Sequence, residues 1–285
     1  MILRLMHYAI GLGASVFFAC KVGAASAEPV VVTEDLVIDR GAERLNVRVL
    51  APSPGRVAKH PLLLLNFSTD RTTSLTEPLY AAPAVAFLQR GHRVLSFDLP
   101  SHGERIDQHG VGLEGMRGRL LAGHDPFQLF VEDGKAVIDE CIRRGWAEPG
   151  RIVVCGVSRA GYCALRLAAA DKRVSGVVGL APVTDWRTLS NFREVKDRPE
   201  VAALALEHYA ADLAGRRVYL AIGNADRRVG TDAVLHFAYT LSAEEARLGL
   251  ETSKVRFLIV DDSPGHSIDD RWRDQGIEFL LQTTP

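Results

Sequence analysis

One short segment constrains the fold of this chain more than any other. The hexapeptide GVSRAG, at residues 156–161, joins Arg151–Cys155, where β-branched residues predict a strand, to Ala160–Ala170, whose Ala and Leu residues predict a helix. A serine flanked by small residues at such a junction is typical of a nucleophile elbow, where a strained turn lifts the hydroxyl above the sheet. The segment therefore predicts a strand, a sharp turn and a helix, with Ser158 as the nucleophile.

The motif by itself is weak. At ordinary composition, roughly 0.2 chance matches to small-x-Ser-x-small are expected in a chain of this length. Ala160 also occupies a position where the stricter pattern has glycine. The assignment of Ser158 therefore depends on the surrounding sequence.

Strand-like and helix-like segments alternate along the chain. The segments with strand character are 30–38, 44–50, 62–65, 92–97, 151–155, 174–180, 217–222 and 254–260. Those with helical character are about 83–89, a segment from Phe127 that ends at Gly145, 160–170, 231–248 and about 268–281. The first two strands predict an antiparallel hairpin, and the later alternation predicts a mostly parallel, twisted α/β sheet of about eight strands with helices on both faces.

Two longer segments, Ser101–Asp125 and Thr184–Gly215, interrupt this alternation. Both follow the carboxyl ends of strands, which is the edge where open α/β sheets bind ligands. We therefore expect them to form the walls of the substrate site. Because the second has only about 30 residues, the sequence predicts short insertions and no large lid.

The N-terminal 27 residues differ from the rest. Arg4 precedes a short apolar stretch, and Ala25-Ser26-Ala27 offers a small-x-small cleavage pattern before Glu28. This pattern predicts a signal peptide over 1–27 and one domain over 28–285, exported to the periplasm or secreted, with no membrane association after cleavage. A membrane anchor, or a lipid anchor at Cys20, is the alternative.

Composition excludes several classes of partner. The 34 basic and 35 acidic residues nearly balance, so no basic surface for nucleic acid is expected. The sequence has no CxxC pair or HExxH motif, and we predict neither a metal nor a cofactor. After cleavage Cys141, Cys155 and Cys163 remain, which allows either one disulfide or three buried thiols.

Two residues downstream of Ser158 complete a catalytic set. A serine hydroxyl is a poor nucleophile at neutral pH and needs a base, which a carboxylate orients. His266 lies between the last strand and the last helix, and Asp226 lies just after strand 217–222. We predict His266 as general base and Asp226 as its partner, with Asp232, Asp261 and Asp262 as alternatives for the acid.

With these segments placed, residues 28–285 resemble the α/β-hydrolase superfamily. FDLPSHGER at 97–105 is similar to the family's segment after the fourth strand, and APVTDW at 181–186 resembles the segment after the sixth strand in the prolyl-oligopeptidase and dienelactone-hydrolase-like branch. That branch includes many small esterases. The resemblance implies the α/β-hydrolase fold and a serine hydrolase that forms an acyl-enzyme, although dienelactone hydrolases proper have cysteine where this chain has Ser158.

The oxyanion of such a reaction needs two backbone N–H donors. One belongs to Arg159, and the other comes from the loop after the third strand, for which Phe67 is the candidate and Ser68 the next choice. The Arg159 side chain is expected to be solvated or salt-bridged, with contact to a substrate carboxylate as the alternative. His102 and Asp98 are expected to organise a turn and a loop beside the site.

These expectations combine into one function. The chain is predicted to be an exported serine hydrolase, a carboxylesterase for small or carbohydrate-linked acyl esters. A peptidase or amidase of the same fold is the first alternative, because esters and amides pass through the same intermediate. A binding module that keeps the fold without turnover is the second.

Overall fold

The computed structural model describes residues 31–41, 44–261 and 265–282. The predicted signal peptide lies outside these ranges. None of the helices in the described part of the chain is long and apolar enough to span a membrane.

Eight strands form one sheet in the order β1-β2-β4-β3-β5-β6-β7-β8. Their bounds, from β1 to β8, are Val31–Asp39, Arg44–Pro52, Leu63–Phe67, Arg93–Phe97, Ile152–Val157, Val174–Leu180, Arg217–Gly223 and Val255–Val260. β1 pairs antiparallel with β2, and β2 with β4, whereas all the other pairs are parallel. The predicted hairpin and the mostly parallel sheet are confirmed.

Nine α-helices occur in the described residues. From α1 to α9 they are Arg71–Thr76, Pro78–Gln89, Gly112–Leu121, Pro126–Arg143, Arg159–Ala170, Pro199–Ala202, Ala210–Leu213, Thr231–Arg247 and Asp270–Leu281. Helices α3, α6 and α7 fall within the two segments that interrupt the alternation, so those segments carry short helices of their own.

Helices cover both faces of the sheet, as strand β6 shows. Successive residues of a strand point to opposite faces. A Cβ added at Gly179 would lie 3.4 Å from Leu165 of α5, whereas one added at Gly276 of α9 would lie 3.1 Å from Val178. Helices α5 and α9 therefore pack on opposite faces, which is the predicted arrangement.

The parallel strands are buried on both sides. All five residues of β3 are buried, as are the first five of β5. Such strands appear in a sequence as unbroken apolar runs, because neither face meets water. Their carboxyl ends align along one edge, with Phe67 paired to Gly156 and Val157 paired to Leu180. Residues that follow β3, β5 and β6 are thereby brought together.

Helix α2 begins one turn and a half before the predicted start. The sequence predicts a start at about Pro83, but proline is favourable at the first helical position. Pro78 occupies that position instead, and Pro83 lies inside the helix. Helix α1 was not predicted, although Asp70 caps it by accepting a hydrogen bond from the Thr73 N–H.

Cys141, Cys155 and Cys163 are free and buried, so no disulfide joins them. Burial raises the pKa of each thiol to about 12. Thiolates are the reactive form, so these cysteines are unreactive at neutral pH. Of the two expectations for the cysteines, the structure agrees with buried thiols.

Two glycines that follow helices provide a matched test of packing. Gly91 follows α2 and Gly145 follows α4, and both have positive φ. A Cβ added at Gly91 would lie 2.5 Å from the Arg56 carbonyl oxygen. A Cβ added at Gly145 would have no other atom within 4 Å. We expect Gly145→Ala to lower the free energy of unfolding by about 1–2 kcal/mol, the cost of a left-handed alanine. Gly91→Ala should cost about 2–5 kcal/mol, because overpacking adds to that cost. Urea unfolding of both variants measures the difference, and equal losses would contradict the packing described.

Candidate functional site

Ser158 occupies a strained turn between β5 and α5. Its backbone has φ 55° and ψ −119°, outside the regions that residues with a side chain favour. Two hydrogen bonds attach the turn to the end of β6 and to the segment that follows it: the Ser158 N–H donates to the Leu180 carbonyl (2.9 Å), and the Val183 N–H donates to the Ser158 carbonyl (3.0 Å). The predicted strand, sharp turn and helix are therefore present.

The residues around Ser158 explain which small side chains the turn requires. A Cβ at Gly156 would lie 2.2 Å from the Ala160 carbonyl oxygen, so the backbone of α5 passes too close for any side chain there. Ala160 itself is fully buried and its methyl group fits. The departure from the stricter motif at Ala160 is thus sterically harmless.

Asp226 and His266 form the hydrogen-bonded pair that the sequence predicted. His266 Nδ1 lies 2.7 Å from Asp226 Oδ2. The other carboxylate oxygen, Oδ1, accepts hydrogen bonds from the N–H groups of Arg228 (2.9 Å) and Val229 (3.1 Å). Because Nδ1 faces a carboxylate, the ring proton belongs on Nδ1, and Nε2 is left as an acceptor.

The alternative acids that the structure describes, Asp232 and Asp261, do not form the hydrogen bond to His266. Asp261 accepts a hydrogen bond from the Asn224 side chain (3.3 Å), and Asp232 lies in the first turn of α8. Asp262 lies outside the described residues. The Asp226 carboxylate is fully buried, whereas the His266 side chain is 23% exposed, so the imidazole can meet a ligand that the acid cannot.

Ser158 and His266 line the same cleft, at the carboxyl edge of the sheet. Its volume is about 160 Å³. Among the described residues no hydrogen bond links the Ser158 hydroxyl to the imidazole. Such bonds are often long before substrate binds, so the lack of this hydrogen bond is compatible with Ser158 as nucleophile and His266 as base.

The walls of the cleft differ from expectation. Neither 101–125 nor 184–215 contributes a lining residue; Leu79 and Tyr80 of α2 do so instead, together with Ile268. The early start of α2 places Leu79 and Tyr80 in the first turn of this helix. Because the sequence predicts a start at about Pro83, neither residue was predicted to lie in this helix or to line the cleft.

Phe67, the candidate second oxyanion donor, lies at the end of β3. Its ring is buried against Phe97 and Phe130, with centroid distances of 4.8 and 5.0 Å, and it does not line the cleft. Ser68 and Thr69 line the cleft, and the Ser68 N–H donates to Ser74 Oγ at 2.9 Å. Phe67 as a donor stays a prediction, while its side chain belongs to the core.

Asp98 has the structural role that the sequence predicted. Its carboxylate accepts hydrogen bonds from the Arg71 N–H (2.8 Å), from the Arg71 guanidinium (2.7 Å) and from the Glu104 N–H (2.9 Å). These contacts attach the start of α1 to the loop that follows β4.

His102 also organises its turn, and it contacts Arg159. Its Nδ1 lies 2.9 Å from the Pro100 carbonyl oxygen, and its Nε2 lies 3.1 Å from Arg159 Nη1. Burial lowers the pKa of His102, so the ring is neutral at pH 7. Nδ1 therefore donates to Pro100 and Nε2 accepts from Arg159, which pairs with no carboxylate in the described part of the chain.

The described residues contain no group of three or more His, Cys, Asp or Glu side chains able to hold a metal ion.

Comparison with known proteins identifies the family. The model of the alpha/beta hydrolase family matches residues 49–278. A curated relative, the hydrolase acrC of Aspergillus aculeatus, is 32% identical over 149 residues, which are 49% of this chain and 32% of that protein. The matched part thus spans about one third of the length of the relative.

Solved structures share the fold at low sequence identity. A cold-adapted esterase from an Arctic intertidal metagenomic library superposes with a TM-score of 0.66 at 17% identity, over 90% of this chain and 95% of the other. A prolyl endopeptidase superposes with a TM-score of 0.64 at 16% identity, over 89% of this chain and 38% of the other. At these identities, the two likenesses show the fold alone.

The strain at Ser158 can be measured by comparing two variants that both lack the hydroxyl. The unfavourable backbone conformation costs an alanine at this position about 1–2 kcal/mol and costs a glycine little. The greater freedom of glycine in the unfolded chain destabilises the glycine variant by about 0.4–1 kcal/mol, which offsets part of this difference. We expect Ser158→Gly to be more stable than Ser158→Ala by about 1 kcal/mol in thermal unfolding. An alanine variant as stable as the glycine variant would show that the turn is relaxed.

Proposed function

The chain belongs to the alpha/beta hydrolase family, and on that basis we propose that it is a serine hydrolase that cleaves carboxylic esters. One observation carries the proposal: a strained serine shares a cleft with a histidine that is hydrogen-bonded to a buried aspartate. Serine, orienting acid and base follow one another along the chain in the order typical of this family.

The mechanism begins with attack of Ser158 Oγ on the ester carbonyl carbon. His266 Nε2 takes the hydroxyl proton when the two atoms come within hydrogen-bond distance in the substrate complex. Asp226 stays ionised and stabilises the imidazolium that forms. Two N–H groups and the imidazole satisfy its carboxylate, so the buried charge is compensated.

Backbone N–H groups stabilise the oxyanion. Arg159, the first residue of α5, supplies one donor, and the positive end of the helix dipole reinforces it. Phe67 is the sequence-based candidate for the second. Thr69 lines the cleft and its N–H has no acceptor among the described residues, so it competes with Phe67 for this role.

Collapse of the intermediate expels the alcohol, which takes the proton from His266, and leaves an acyl group on Ser158. Water then attacks this acyl-enzyme with His266 as base, and the acid is released. A cleft of about 160 Å³ is smaller than the ~300–1,000 Å³ of pockets for drug-sized ligands, which favours short acyl groups. Small or carbohydrate-linked acyl esters are therefore the proposed substrates.

Cellular location is part of the proposal. The signal-peptide pattern at residues 1–27 supports export to the periplasm or to the medium. The near balance of charge supports a small-molecule substrate over nucleic acid.

The proposal is tested by labelling the mature protein with a fluorophosphonate and locating the adduct by mass spectrometry. We expect the adduct on Ser158, and none in His266→Ala, because the base activates the hydroxyl. Asp226→Asn should keep the fold and lower kcat for aryl esters by about 10⁴-fold, because the wrong imidazole tautomer results. His236→Ala is the matched control: His236 also contacts a carboxylate, that of Glu207, but lies outside the cleft and should react normally.

The other two functions give different results in the same assays. Turnover of peptide anilides but not of esters would indicate the peptidase or amidase. A folded protein that is neither labelled nor active on either substrate would indicate a binding module and would overturn the proposal.

A further inference from the structure

The cleft beside Ser158 carries excess positive charge. Arg159 and Arg228 both line it, and no Asp or Glu lies among its described lining residues. Elsewhere near this edge, arginines are paired: Arg71 contacts Asp98 at 2.7 Å and Arg105 contacts Asp133 at 2.8 Å. The charge of the cleft is therefore local, in a chain whose total charges nearly balance.

Arg159 has no ionic partner within the described ranges. Its one hydrogen bond from the guanidinium goes to the neutral His102, through Nη1 at 3.1 Å, so Nη2 and Nε keep donors to offer. Burial lowers the pKa of Arg159, and the neighbouring positive charge of Arg228 lowers it further. Because arginine stays protonated in proteins, both effects leave a destabilised cation.

His102 fixes the direction of this guanidinium. Its ring is only 6% exposed and is oriented by Pro100, so the contact at Nη1 is rigid. A positioned planar cation beside the nucleophile is a recognition element for an anion, and a carboxylate matches its donors in pairs.

We propose, resting on the esterase function above, that the cleft selects esters that carry a free carboxylate, which binds between Arg159 and Arg228. The substrate class is monoesters of dicarboxylic acids or acyl esters of hydroxy acids. The small volume favours a carboxylate over a phosphate, which is bulkier. Such a group supplies the counter-charge that the described lining residues do not.

Two pairs of substrates that differ only in charge test the proposal. The first is monoethyl glutarate and its carboxamide, ethyl glutaramate; the second is acetoxyacetate and acetoxyacetamide. We expect kcat/KM for the anion to exceed that for the amide at least tenfold in one pair or the other. Equal values in both pairs, with measurable hydrolysis, would overturn the carboxylate site and leave the esterase function intact.

Variants assign the preference to the two arginines. Arg159→Met should bring the anion-to-amide ratio close to one, Arg159→Lys should retain part of it, and Arg228→Met should lower it. Arg227→Met is the matched control, because Arg227 is exposed like Arg228 but does not line the cleft. An unchanged ratio in folded Arg159→Met and Arg228→Met would contradict the assignment.

Binding without turnover separates this proposal from the esterase function. Glutarate should inhibit labelling of Ser158, and calorimetry should show that it binds the wild type and not Arg228→Met, even if no ester is cleaved. Glutaramide, in which carboxamides replace both carboxylates, should bind more weakly. If inorganic phosphate competes and glutarate does not, the site is not a carboxylate site and the proposal fails.

Discussion

The strained turn at Ser158 is the constraint on which the rest of the site depends. Ser101, Ser158 and Ala181 are the non-glycine residues with positive φ in the described part of the chain, and each follows the carboxyl end of one of three strands, β4, β5 and β6. Unfavourable backbone conformations of this kind cost about 1–3 kcal/mol each and persist only where the surroundings impose them. Here the buried parallel strands impose them, so the stability of the sheet maintains the geometry of the edge.

The other two members of the proposed catalytic triad reach this edge from strands farther along the chain. Asp226 follows β7 and His266 follows β8, and their hydrogen bond joins two loops separated by 40 residues of sequence. A carboxylate buried without partners would be costly, and backbone N–H groups of its own loop satisfy the oxygen that the imidazole leaves free. The acid is thereby fixed before substrate arrives, which is what an orienting group requires.

The sheet was predictable from sequence, whereas the cleft wall was predictable only in part. Buried strands such as β3 produce apolar runs that need no tertiary information, and the order of Ser158, Asp226 and His266 follows from strand order. The start of α2 was not predictable, because Pro78 and Pro83 are chemically equivalent signals and packing selects between them. The hydrogen-bond partner of Arg159 was also not predictable, because His102 lies 57 residues away in sequence and contacts Arg159 only in the folded chain.

The most direct test of the account is the identity of the atom that carries the acyl group during turnover. The mature protein is mixed with 4-nitrophenyl acetate, quenched in acid within the first turnovers, digested and analysed by mass spectrometry. The account predicts one acetyl group on the peptide that contains Ser158, with a matching burst of nitrophenolate. Rapid ester hydrolysis with no acetyl group on Ser158, or with the group on another residue, would contradict it.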